Sequence, residues 1–282
     1  MAPDARHARV VAIANRKGGV AKTTTAVNLG AALSERGRRV LLVDLDPQQD
    51  LCSALRVPMP RPGLADAILS IALFGTGSLA DAMVRAHGLV VAGGYGIADA
   101  EKELGLHKNG ENALKRALAP HLERFDFVIL DCAPSLQSFT ASALACARDV
   151  IVPVQTEFLA ANQLPGIMSA VDDIRSRLNP GLKVAGFLPT MFDGRSRHAL
   201  EVMERIANQA HLWGVRAFKP IPKSIRFSEA SSAGIPILKF APESSSARAY
   251  GSLAADLDLP GSALALSAVQ PASASARPIE LA

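Results

Sequence analysis

An apolar run, Val10-Val-Ala-Ile13, passes directly into Ala14-Asn15-Arg16-Lys17-Gly18-Gly19-Val20-Ala21-Lys22-Thr23-Thr24-Thr25. Ala26, Leu29 and Leu33 then recur with helical spacing until Gly37, a residue type that ends helices. A buried strand, a run of small residues and a Thr-rich helix entry make up the layout in which backbone N–H groups and a helix N-terminus converge on a phosphate. Lys22 then supplies charge for the β- and γ-phosphates, and the Thr23 hydroxyl reaches a magnesium ion. The pattern G-x-x-x-x-G-K-[ST] is not met, because Arg16 and Ala21 stand where it asks for glycine. For an isolated G-G-x-x-K a glycine-rich turn with two solvated lysines is the better reading; the strand before it and the Thr-Thr after it favour the phosphate loop.

Two further strands end in carboxylates. Arg39-Val-Leu-Leu-Val43 leads into Asp44-Leu-Asp46-Pro47-Gln48-Gln49, and Phe125-Asp-Phe-Val-Ile-Leu-Asp131 ends in Asp131 followed by Cys-Ala-Pro-Ser-Leu136. Ligands of open parallel sheets bind beyond the C-terminal ends of the strands, where Asp44, Asp46 and Asp131 fall. Asp44 and Asp46, two residues apart on an extended chain, share one side. An aspartate closing an apolar strand beside a phosphate loop binds magnesium, usually through water. An Asp-Pro turn or a helix N-cap accounts for either carboxylate taken singly.

Apolar runs at Gly88–Ala92, Asp149–Val154 and Lys183–Leu188 add strands. Helical patterns at 65–71, 98–106 (ended by its own glycine), 158–178 and 198–210 separate them. Strands alternating with helices predict an α/β fold: a doubly wound, mostly parallel sheet flanked by helices. Residues 10–258 read as a single domain behind a short extension, 1–9, and the Ala/Ser/Pro-rich stretch 259–282 as a disordered tail.

With K-G-G-x-x-K-T-T, D-x-D-P-Q and the D-C-A-P-S-L segment in view, the chain resembles the deviant Walker A ATPases, the family of ParA partition proteins and MinD. The likeness extends to Asp193-Gly-Arg195-Ser-Arg197 and to Ile221-Pro-Lys223-Ser-Ile-Arg226-Phe-Ser-Glu229-Ala, and runs from about residue 9 to 257. It implies ATP/ADP and Mg²⁺ bound by Lys17, Gly18, Gly19, Val20, Ala21, Lys22, Thr23, Thr24 and Asp44, with the adenine near Pro189, Thr190 and Met191. Thr23 and Asp131 hold the metal, and Asp46 positions the attacking water. Lys17 reaches across an ATP-dependent homodimer to the partner's nucleotide. By the same resemblance Arg195 and Arg226 bind DNA without sequence preference, with Lys223, Arg197 and Lys219 extending the patch, and a ParB-like adaptor stimulates slow hydrolysis. Ala133 replaces a proline of the family pattern, and Ala21 a glycine.

Composition narrows the alternatives. Hydrophobic residues are 49% and charged residues 20%, the balance of a globular protein. The longest apolar runs fall far short of the ~20 residues that span a bilayer, and the N-terminus lacks a signal-peptide core. The expectation is therefore a cytoplasmic protein, and the resemblance implies that it associates with the nucleoid. The tail does not read as the basic amphipathic helix of a MinD-like membrane ATPase, so no stable membrane association is expected. Cys52, Cys132 and Cys146 lack paired spacing, which argues against the iron–sulfur site of nitrogenase-type reductases. With only nine residues before the first strand, specific operator binding is not expected either. A ParA-like positioner of a protein organelle keeps the same chemistry with another cargo.

Overall fold

A computed structural model describes residues 8–107, 110–135, 138–157 and 164–259. Among the described residues seven strands form one sheet: β1 (Arg9–Ile13), β2 (Val40–Asp44), β3 (Met83–Ala86), β4 (Leu89–Ala92), β5 (Phe127–Asp131), β6 (Asp149–Gln155) and β7 (Lys183–Thr190). Their order is β3-β4-β2-β5-β1-β6-β7. All neighbours are parallel except β3, which pairs antiparallel with β4 across the tight His87-Gly88 turn. That edge strand is new relative to the sequence reading: four residues interrupted by Arg85 give too short a pattern to see.

The alternation of the strands explains the two layers of helix. Val10, Ala12, Leu41, Val43, Val128, Leu130, Val150 and Val152 face one cluster, shared with α3 (Leu64–Phe74), α4 (Ile97–Leu106), α5 (Ala113–Leu118), α6 (Ser138–Cys146), α7 (Leu164–Arg177) and α8 (Arg197–Leu212). Val11, Ile13, Val40, Leu42, Phe127, Ile129 and Ile151 face the other. It is covered by α1 (Lys22–Glu35), α2 (Asp50–Ala54), α9 (Arg226–Ala233), α10 (Ile237–Phe240) and α11 (Ser245–Asp258). Central strands apolar on both faces are what a parallel sheet wound on both sides requires. Gly30 lets α1 lie close to the sheet: a Cβ there would come within 2.7 Å of Leu42.

α11 closes the domain against α1. The buried Tyr250 hydroxyl pairs with Thr25 Oγ1 at 3.2 Å, and Asp258 at its end takes Arg36 and Arg38. Helix α4 corrects one detail: it continues through Gly105 and is ended by His107, whose N–H bonds to Leu104 O at 3.2 Å. Of the helix expected over 158–178, residues 158–163 lie outside the described residues, as do Leu136, residues 1–7 and the tail from residue 260.

Candidate functional site

The register of the sheet assembles the site. Ile13 and Asp44 both pair with Asp131, so the ends of β1, β2 and β5 stand side by side. The loop after β1 therefore faces the carboxylates of the two strands beside it. Leu45 N donates to Asp131 O at 3.0 Å and Cys132 N to Ile13 O at 3.2 Å, which fixes the strand ends relative to one another.

Residues 14–21 form the loop. Gly19 has φ 72° and Ala21, immediately before α1, φ 67°. Glycine enters the left-handed region without penalty, whereas an alanine there is strained by roughly 1–2 kcal/mol. A Cβ built at Gly18 or Gly19 meets nothing within 4 Å, so the crest of the loop borders open space. No acidic side chain occupies the first turn of α1, and its free N–H groups face that space as an anion-binding end. Lys22 is buried and its ammonium reaches back to Lys17 O at 3.3 Å. Desolvation lowers its pKa, with Asp131 and Asp46 pulling the other way.

Asp131 is fully buried, and among the described residues neither of its carboxylate oxygens has a hydrogen-bond partner. Its pKa is held well above the usual carboxylate range, chiefly by desolvation and then by the neighbouring Asp44; the Thr23 hydroxyl, close but outside hydrogen-bond geometry, draws it down only in part. Asp44 is also buried. It accepts from Cys52 N at 3.0 Å and Asp46 N at 3.3 Å, and desolvation raises its pKa to about 6. Asp46 caps its own turn, accepting from Gln48 N at 3.0 Å. Orphaned carboxylate oxygens beside a lysine and a threonine are what a divalent cation would satisfy. Among the described residues no three His, Cys, Asp or Glu side chains stand close enough to ligate a metal by themselves. A cation here would thus rely on Thr23, Asp131, water and a ligand's own oxygens. Magnesium fits that oxygen-rich, incomplete set.

Lys17 sits at the rim, its ammonium 3.5 Å from Glu157 Oε2 with both side chains partly in solvent. Pro189, Thr190 and Met191 lie at the end of β7, but the buried Thr190 hydroxyl turns inward to Val20 O at 3.1 Å. Sequence reading passed over Asn15, whose buried amide bonds Pro153 O at 2.7 Å and Lys17 N at 3.0 Å. A polar residue interrupting the small, apolar end of a buried strand is the signal that would have found it. Cys52, Cys132 and Cys146 are free thiols; burial is the main factor raising the pKa of each, to about 12 at Cys146.

Arg195, Lys223 and Arg226 come from neighbouring stretches of backbone. A bridge between Phe192 and Pro222 and the Lys223 N to Phe192 O bond (2.9 Å) put the loop of Arg195 beside Lys223, and Arg226 opens α9 directly after. Arg195 pairs with Asp193 at 3.0 Å and Arg226 with Glu229 at 2.9 Å. Among the described residues no helix is long and apolar enough to cross a membrane.

Comparison with known proteins agrees with this fold. A family model described as an AAA domain matches residues 8–184. The chain is 39% identical over 249 residues to the chromosome-partitioning ATPase Soj of Thermus thermophilus, covering 88% of this chain and 95% of that one. The crystal structure of cobyrinic acid a,c-diamide synthase from Mycobacterium smegmatis with bound ADP and magnesium is 38% identical, with a TM-score of 0.75 over 89% of this chain and 94% of that one. The cell division ATPase MinD of Pyrococcus furiosus is 26% identical, with a TM-score of 0.68 over 88% and 98%.

Proposed function

The chain belongs to the Soj/ParA-like P-loop ATPases, and we propose that it is a partition ATPase that dimerises on ATP, binds DNA without sequence preference and lets go after hydrolysis. The observation that carries the chemistry is the unpartnered, buried Asp131 set against Lys22 and Thr23 at the mouth of the phosphate loop.

In this reading the loop amides, the α1 N-terminus and Lys22 hold the phosphates of ATP, with Gly18 and Gly19 leaving room for them. Thr23 and Asp131 would hold magnesium, which would supply positive charge against the phosphates. Asp46, fixed by its turn, orients the attacking water; a carboxylate is a weak base near neutral pH, so positioning is its role. Lys17 leaves Glu157 and offsets transition-state charge in the opposite subunit, which ties hydrolysis to dimerisation. Two copies of the Arg195, Lys223 and Arg226 surface then act together on DNA phosphates, so retention falls steeply with salt. A ParB-like adaptor supplies cargo recognition. Retention of DNA by the Asp46→Ala protein with ATP, over a salt series and beside Arg226→Glu, tests the reading. Equal retention by Asp46→Ala with and without Arg226→Glu, or no ATP dependence, would overturn the DNA part.

A second reading draws on the 38% identity to the diamide synthase: the same nucleotide site serving amide synthesis on a carboxylic acid substrate. ATP turnover stimulated by DNA with no carboxylate added separates the two.

A further inference from the structure

We infer that Thr190 is a positioning residue for the phosphate loop rather than a contact for the base, and that it aims the Ala21 amide at the bound phosphate. This rests on the ATPase reading above.

The argument is one of peptide geometry. In a trans peptide the carbonyl and the following N–H point in opposite directions. Thr190 Oγ1 donates to Val20 O at 3.1 Å, and Thr190 and Val20 are both buried. Pinning that carbonyl toward β7 turns the Ala21 N–H the other way, toward the open crest of the loop. Ala21 is also the strained residue of the loop, at φ 67°, so this peptide plane is the one that most needs an external hold.

The hold is itself fixed. Thr190 O accepts from Thr156 N at 3.1 Å and from Thr156 Oγ1 at 3.2 Å, and Thr156 also reaches Met191 O at 3.3 Å. At the other end of the loop, Asn15 bridges Pro153 O and Lys17 N. The ends of β6 and β7 thus grip the loop at its start and its finish. The Thr190 hydroxyl is spent inside this grip, which leaves no donor for an adenine.

The two roles predict different ligand dependence. Thr190→Val removes the hydroxyl at nearly constant shape, and Thr190→Ser keeps it. Binding of ATP, GTP and inorganic tripolyphosphate is measured by titration calorimetry with magnesium, alongside thermal unfolding without ligand. Thr190→Val is expected to weaken ATP and tripolyphosphate by the same factor, about tenfold, equivalent to about 1.4 kcal/mol, with Thr190→Ser close to wild type. Loss confined to ATP would assign Thr190 to the base and overturn the proposal. So would unchanged binding of all three ligands, or a lowered unfolding temperature with unchanged affinity. Failure of the wild-type protein to bind any of them would instead overturn the ATPase reading, and the proposal with it.

Discussion

Asp131→Asn should make the nucleotide-free protein more stable while abolishing its response to magnesium. The wild-type carboxylate is fully buried, both oxygens lack partners among the described residues, and Asp44 occupies the paired position on the adjacent strand. An unsatisfied buried group costs about 1–3 kcal/mol, and more when charged. An asparagine of the same shape carries no charge and can donate to Asp44. The expected gain is therefore about 1–3 kcal/mol at pH 7, or roughly 2–12 °C in unfolding temperature at 2–4 °C per kcal/mol. Its pH dependence fixes the cause. Because the folded pKa of Asp131 is raised, protonation stabilises the wild type, fully so below the unfolded value of 3.8, and that stability is lost as pH rises toward the folded value. The advantage of the asparagine must then grow with pH, by at most about 1.4 kcal/mol per unit. Asp44, with its pKa raised to about 6, titrates in both proteins, and the donor from the asparagine, which lowers that pKa in the variant, adds a change of the same sign. Calorimetric unfolding from pH 5 to 8, with ATP plus magnesium or ATP plus chelator, reads both effects. A destabilised variant, a difference independent of pH, or an undiminished magnesium shift would refute the account.

Lys17→Ala should still bind ATP but hydrolyse it at least about a hundredfold more slowly, as phosphate release over a protein concentration series would reveal. Glu229→Gln should release Arg226 from its 2.9 Å partner and tighten ATP-dependent DNA retention about twofold at low salt, with Arg226→Glu moving it the other way. Tyr250→Phe leaves the buried Thr25 hydroxyl without its 3.2 Å partner and should lower stability by about 1 kcal/mol, measured by urea unfolding.

The contrast between Asp131 and Thr190 shows what a sequence of this kind exposes. Asp131 was legible because strand periodicity is short-range: an apolar run that stops at an aspartate places the side chain at a strand end without knowledge of its neighbours. The same holds for Asp44, for the loop itself and for the six parallel strands, whose runs needed no partner to be seen. Strand order was not legible, and it is the order β2-β5-β1 that turns three separate strand ends into one site. Thr190 was legible only as a position beyond a strand. Its hydroxyl could point to a base or to a peptide carbonyl 170 residues away, and only the packing of β7 beside β6 decides for Val20. Ala21 joins the two cases. Read alone it is a missing glycine; in the structure it is a left-handed alanine whose preceding carbonyl is held from outside the loop. A loop that gives up glycine's freedom gains from a fixed external partner, since the strained conformation persists only where its surroundings over-determine it. On that argument Ala21→Gly should relax the loop's dependence on Thr190, so that Thr190→Val costs less nucleotide affinity in the glycine background than in the wild type. Equal losses in the two backgrounds would mean that the alanine and the threonine act independently.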